Sequence, residues 1–225
     1  MAIKTPLVPA KVKNHFAYGY WKYLILVIAA IAGWNLIYSS TEYRPPDEKR
    51  IDFYVSSNTV NIDALQAWLA QTRVQAFPNL ELLEAYTVMA GTDDPYAQMQ
   101  LSTFIMAGEG DVYLLDKERF LSYASQGAMA PLEEYVENGA IDPTGIDLAN
   151  GYVTLADTGE RHLLGIPADS LYGLLTRFGI DCRNMVFGVM VRSGNQEDTV
   201  RFIDYLISNL QEPAPDWLAS PAPQP

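Results

Sequence analysis

From Trp21 to Tyr38, a run of 18 residues, the chain carries a single charge, Lys22, near its start. The centre of that run, Tyr23-Leu-Ile-Leu-Val-Ile-Ala-Ala-Ile-Ala-Gly-Trp34, is apolar on every helical face, so it has no side to offer water. Such a helix is either packed inside protein or dissolved in lipid, and about 18–20 residues suffice to cross ~30 Å of hydrocarbon. The flanks favour lipid. Tyr18, Tyr20, Trp21 and Tyr23 mark one edge and Trp34 and Tyr38 the other, where amphipathic rings settle at headgroup level. Lys22 can extend its ammonium to the headgroups from just inside the span.

Charge gives this segment a direction. Residues 1–40 hold Lys4, Lys11, Lys13 and Lys22 and no acid, so they carry +4, while the remainder carries -16 of the total -12. Basic residues stay in the cytoplasm. The expected layout is a cytoplasmic N-terminus over residues 1–20, a transmembrane helix over 21–39 and an extracytoplasmic body. A cleaved signal peptide has a similar basic and apolar start. Cleavage after Ser40 would place the bulky Tyr38 at the -3 position, and Ala30 and Ala32 lie inside the apolar run. No cysteine directly follows the span to take a lipid, so an uncleaved anchor in the cell membrane fits best.

Composition narrows the chemistry of the 225 residues. An excess of 27 acidic over 15 basic residues argues against nucleic acid as a partner, since neutralising phosphates needs surplus Lys and Arg. One cysteine, Cys182, can form no internal disulfide or paired metal knuckle, and two histidines, His15 and His162, leave little for acid–base or zinc chemistry. No cofactor or metal is expected, and no catalysis.

Beyond the span, residues 40–50 read as a polar extracytoplasmic stalk stiffened by Pro45-Pro46. Residues 212–225, in a stretch from Gln211 that has five prolines, read as a disordered tail. Between them, residues 51–211 alternate strand and helix patterns. Ile51–Ser56 has strand alternation; Ile62, Leu65, Leu69 and Ala76 recur at helical spacing behind Asn61 as cap. Leu80–Val88 is a second strand, and Asp94-Pro95 opens a helix presenting Leu101, Phe104 and Ile105. Gly108-Glu-Gly110 ends that helix ahead of a strand at Asp111–Leu115. Lys117–Gln126 is helical again with Phe120, Leu121 and Ala124 inward. This order predicts an α/β fold with a mostly parallel sheet of about five strands flanked by helices. Further on, Tyr152–Ala156 and His162–Ile166 flank a turn as a hairpin, Met185–Val191 suits a doubly buried strand, and Val200, Ile203, Leu206, Ile207 and Leu210 stripe a last helix from Asn195.

Met99–Val136 carries Gly108-Glu-Gly-Asp111-Val112, a short strand, a helix and Gly127-Ala-Met-Ala-Pro131-Leu132. Leu164-Gly-Ile-Pro167 and Val189–Asn195 with Thr199–Leu206 follow in order. This series resembles the bacterial extracellular solute-binding proteins of ABC importers, the sugar-binding-like family 1. The resemblance implies a two-lobed clamp, with ligand held between lobes after a crossing that follows the "IP" turn. Here only Ala168–Asn184 separates Pro167 from the late strand, and 17 residues cannot build a lobe. The chain therefore resembles a single solute-binding-protein lobe on a membrane anchor. It is expected to be an accessory to an ABC transporter or sensor for carbohydrates, or else a platform docking another membrane or envelope protein.

Open α/β sheets bind ligands at the loops after the carboxyl ends of their strands. By position, the resemblance makes Ser57, Asn58, Asp116, Asp169 and Tyr172 the ligand-binding candidates, with polar contacts to sugar hydroxyls and Tyr172 stacking. Asn58 and Asp116 could equally cap helices. His162 near Glu160 and Asp157 lies in the hairpin and reads as an ordinary histidine; Cys182 beside Asp181 and Arg183 reads as a packed cysteine. Asp93-Asp94 lacks a calcium-loop pattern, and Gly108-x-Gly110 precedes a strand where dinucleotide binding needs a helix.

Overall fold

The computed structural model describes residues 9–41, 43, 45–88 and 95–219. The chain divides into two compact units, Met1–Arg44 and Pro45–Pro225. The first is built on helix α1, Pro9–Thr41. Its stretch Tyr20–Tyr38 spans 19 residues at a mean hydropathy of 1.5, with none of them buried. By length and composition it could cross a membrane. The Asp93-Asp94 pair lies outside the described residues.

The second unit begins with a 3-10 turn at Asp47–Lys49 and continues β1 (Arg50–Ser56), α2 (Ile62–Ala76), β2 (Leu82–Val88), α3 (Pro95–Ala107), β3 (Val112–Asp116) and α4 (Lys117–Ala124). It then runs through α5 (Glu133–Glu137), a 3-10 turn at Leu148–Gly151, β4 (Tyr152–Thr154), β5 (Arg161–Leu163), β6 (Gly165–Pro167), α6 (Gly173–Phe178), β7 (Met185–Val189), α7 (Gln196–Leu210) and α8 (Asp216–Ala219). Five strands form the main sheet in the order β2-β1-β3-β7-β6. β1 pairs parallel with β2 and β3, whereas β7 is antiparallel to both β3 and β6. The sheet is thus mostly parallel, with one reversed strand inserted before its edge.

Each face has its own apolar layer. On one side Leu65 and Leu69 of α2 and Val200, Phe202, Ile203, Leu206, Ile207 and Leu210 of α7 pack on Ile51, Phe53 and Val55. On the other, Leu101 and Ile105 of α3 and Phe120 and Ala124 of α4 cover Tyr54, Tyr113 and Leu115. Burying each large side chain contributes about 1.5–3 kcal/mol, so these two layers are the main support of the fold. The predicted caps form: Asn61 accepts from the Ala64 amide, and Asn195 accepts from that of Asp198.

One expectation changes, and further elements appear that the sequence did not announce. The hairpin pairs only β4 with β5, because the strand predicted over His162–Ile166 divides at Leu164 and continues as β6 in the main sheet. Gly165 allows this crossing, since a Cβ there would lie 2.6 Å from Phe120 and Val186. The short helices α5 and α6, of 5 and 6 residues, have too few turns to show a periodic stripe. The proline-rich stretch is held at its start: Glu212 bridges to Leu171 and its carboxylate accepts from Thr176 Oγ1 and Arg177. One helical turn follows at Asp216–Ala219, and residues 220–225 of the expected tail lie outside the described residues.

The segment Ala168–Asn184 folds back onto its own sheet. Thr59 Oγ1 donates to the Gly179 carbonyl at 2.8 Å, and the Asn61 amide donates to that of Phe178 at 2.8 Å. Gly179 takes a φ of +71°, the left-handed cap that ends α6. The connection is therefore sewn to the loop after β1.

Candidate functional site

The carboxyl ends of β1, β3 and β6 lie on one edge of the sheet, together with the start of the reversed β7. All five residues expected to bind ligand follow or end these strands. They separate into two groups.

Around β1 and β3 the polar groups serve the fold. Asp116 caps α4, its Oδ1 accepting from the Arg119 amide at 3.0 Å. Arg119, 8% exposed, donates from NH1 to Ser56 Oγ at 2.9 Å and places Nε 3.4 Å from Asp116 Oδ2. A buried guanidinium needs partners of this kind, because its desolvation costs several kcal/mol, about as much as its pairing returns. Ser57 Oγ accepts from the Thr59 amide at 3.3 Å, turning the chain toward α2. Asn58 is exposed on the same loop.

After β6 the residues converge on a cleft of about 390 Å3, within the range of small-ligand pockets. Asp169, Ser170 and Tyr172 wall it from the turn after β6, and Gly145, Ile146, Asp147 and Asn150 from the loop ahead of β4, with Pro167 between. The backbone holds both carboxylates in place. Asp169 Oδ1 accepts from the Asn184 amide at 2.8 Å and Asp147 Oδ1 from the Ala149 amide at 3.0 Å. Lys117 Nζ donates to Asn150 Oδ1 at 2.8 Å, fixing that amide from α4. Ser170 Oγ is buried and has no hydrogen-bond partner among the described residues.

Asp169 and Tyr172 are thus brought together, while Ser57, Asn58 and Asp116 do not line this cleft. Asp147, Asn150 and Ser170 escape the sequence reading. The first two precede a hairpin with no periodic pattern around them, and only the adjacency of Ser170 to Asp169 could have pointed to it.

A larger hollow, about 940 Å3, runs between α3 and α4 as far as Arg192. Its walls are tied together by the 2.9 Å hydrogen bond between Ser102 Oγ and the Tyr123 hydroxyl, and the guanidinium of Arg119 is already engaged by Ser56 and Asp116. It contains none of the carboxyl-edge candidates.

The remaining reactive groups are held in structural roles. His162 Nδ1 lies 3.1 Å from Glu133 Oε1 and Nε2 3.5 Å from Glu160 Oε2, pinning β5 to α5. Cys182 is fully buried, and burial, reinforced by Asp181, pushes its thiol up to about 11. That keeps it protonated and a poor nucleophile at neutral pH. Among the described residues no group of three His, Cys, Asp or Glu side chains is arranged to hold a metal ion.

No protein-family model matches the sequence, and no curated protein matches it. Several solved structures are similar over part of their length. A family 1 extracellular solute-binding protein from Alicyclobacillus acidocaldarius is 19% identical, with a TM-score of 0.41, covering 56% of this chain and 29% of that one. A de novo designed esterase is 22% identical, with a TM-score of 0.40, over 54% of this chain and 28% of the design. An ABC substrate-binding protein from Listeria monocytogenes, in complex with cycloalternan, is 26% identical, with a TM-score of 0.35, over 46% and 25%. The chain spans less than a third of each of these structures, and such partial likenesses transfer no residue roles.

Proposed function

We propose that this chain is a non-catalytic binding module: a single solute-binding-like lobe, anchored in the cell membrane by residues 21–39 and displayed outside the cytoplasm. Its ligand is small and hydrophilic, in the size range of a sugar unit, and its membrane placement suits an accessory of an ABC transporter or sensor. The observation that carries this reading is the convergence of Asp169, Tyr172, Asp147 and Asn150 on one cleft of about 390 Å3 at the carboxyl edge. The test is thermal unfolding of the full chain in detergent against a panel of monosaccharides, disaccharides, amino sugars and small amines. A ligand at a hundredfold excess over its Kd adds about 2.7 kcal/mol, read as a rise of roughly 5 °C or more. Asp169→Ala and Tyr172→Ala should abolish the rise. A panel without any shift, or shifts indifferent to both variants, removes the cleft as a binding site.

One observation favours a docking platform as a second reading. Tyr96, Met99 and Met106 of α3 are 62%, 61% and 80% exposed, at positions that fall on one helical stripe. A photo-crosslinking residue at position 99 should then capture another membrane or envelope protein, whether or not a ligand binds.

A further inference from the structure

We infer that the ligand of the Asp169 cleft is cationic, a small amine, diamine or amino sugar in preference to a neutral sugar. This rests on the reading of that cleft as a binding site. The inference comes from the charge and hydrogen-bonding capacity of the wall.

Two of its residues are carboxylates, Asp147 and Asp169, and no Lys or Arg stands among the lining residues. Each carboxylate has one oxygen engaged by a backbone amide, from Ala149 and from Asn184. The Oδ2 of each has no hydrogen-bond or ion-pair partner among the described residues. Two cations stand near the wall: Lys117 spends its hydrogen bond on Asn150 Oδ1, and Arg183, close to Tyr172, is paired with Asp181. Neither pairs with Asp147 or Asp169. A ligand ammonium placed in the cleft gains charge-assisted hydrogen bonds to these free carboxylate oxygens. A neutral hydroxyl gives weaker bonds. Tyr172 adds an aromatic ring to the same wall, a further source of attraction for a cation. The Asn150 side chain remains for a hydroxyl or a second amine, which fits a hydroxylated amine or a diamine. The volume of about 390 Å3 sets the scale at one sugar ring or a short diamine.

Calorimetric titration of the full chain in detergent with 1,4-diaminobutane, glucosamine, glucose and maltose tests the inference. The amines should bind at least about tenfold more tightly than glucose or maltose, the factor expected for one charge-assisted bond replacing a neutral one. Raising the salt from 0.05 to 0.5 M (about a threefold fall in screening length) should weaken the amines and leave the sugars unchanged. Asp147→Asn and Asp169→Asn each keep an oxygen for the backbone amide, so the unliganded melting temperature should hold while amine affinity falls about tenfold. Glucose or maltose binding as tightly as the amines, with Tyr172→Ala abolishing it, overturns the charge inference and leaves the cleft standing. No binding by any of the four probes overturns both. Amine binding that ignores both Asn variants places the amine elsewhere and overturns the inference.

Discussion

Asp52 and Asp111 hold each other by two hydrogen bonds: the Asp52 amide donates to Asp111 Oδ2 at 2.9 Å, and the Asp111 amide donates to the Asp52 carbonyl at 3.0 Å. The exchange fixes the entrance to β3 against β1 and brings two acids together in a buried place, 8% and 7% exposed. Ser193 Oγ donates to Asp111 Oδ1 at 2.7 Å, but Asp52 Oδ1 has no hydrogen-bond partner among the described residues.

Burial pushes the Asp52 carboxyl up to about 6; Arg50 opposes this, and Asp111, Glu84 and Asp47 add to it. Asp111 is also raised, mainly by burial. A carboxyl raised on folding binds its proton more tightly in the folded state. Its contribution is complete below the unfolded value near 4 and is lost as pH climbs through about 6. Stability should therefore fall by about 1–2 kcal/mol from this site between pH 4 and pH 7. Asp52→Asn should flatten that slope and raise the melting temperature at pH 7, as read by thermal unfolding at stepped pH. A slope unchanged by the substitution would show that Asp52 ionises freely.

Arg119 holds the opposite, carboxyl end of these strands. Its guanidinium joins Ser56 on β1 to Asp116 on β3, so one side chain ties two strand ends to α4. Arg119→Met keeps the length and removes the charge, leaving both partners with unmet bonds. About 3 kcal/mol of stability should go, or roughly 8 °C in the melting temperature. Ser56→Ala removes one neutral partner and should cost about 1 kcal/mol. Equal losses for the two would mean that the Asp116 pairing contributes nothing.

The fold was more legible than the site, for a physical reason. The stripe Val200, Ile203, Leu206, Ile207 and Leu210 appears in the sequence because a sheet-packed helix must bury one face, and all five are buried. Arg119 lies on the buried face of α4 and defeats that logic, since periodicity assigns charge outward and cannot see a Ser56 waiting 63 positions earlier. Strand-end position singles out Asp169 and Tyr172, which line the cleft. It equally singles out Ser57 and Asp116, whose side chains a turn and a helix cap engage. Asp147 and Asn150 reach the cleft through a loop path, which local pattern does not encode. The reversal of β7 is equally silent in its sequence, because a strand buried on both faces reads the same in either direction.

Gly110 and Gly127 separate backbone strain from crowding. Both take left-handed φ, +79° and +78°. A Cβ on Gly127 would meet nothing within 4 Å, whereas one on Gly110 would lie 2.6 Å from the Tyr54 ring. That ring stacks between Tyr113 at 4.9 Å and Tyr86 at 5.2 Å, across three adjacent strands. Gly127→Ala should cost about 1 kcal/mol, the conformational penalty alone. Gly110→Ala should cost about 3 kcal/mol, with displaced rings added, and should change the near-ultraviolet dichroism of the tyrosines. Equal costs would show that the stack yields without loss.

The span Tyr20–Tyr38 makes the last prediction, because its side chains decide between lipid and water. Ile25, Leu26, Ile28 and Ile31 are 58–67% exposed within their own unit, so none of its described residues covers them. Exposed to water, such a surface would drive association; in hydrocarbon it is at rest. The full chain expressed in a bacterial host should remain in the membrane after carbonate washing. Protease added outside spheroplasts should digest the acidic body and spare the lysine-bearing start. Ile28→Arg with Ile31→Arg places two charges at mid-span, each costing about 2.5–3.5 kcal/mol on insertion, so the variant should leave the membrane fraction. Wild-type chain recovered intact in the soluble fraction would show that the helix is covered by protein, and a body protected from outside protease would place it in the cytoplasm.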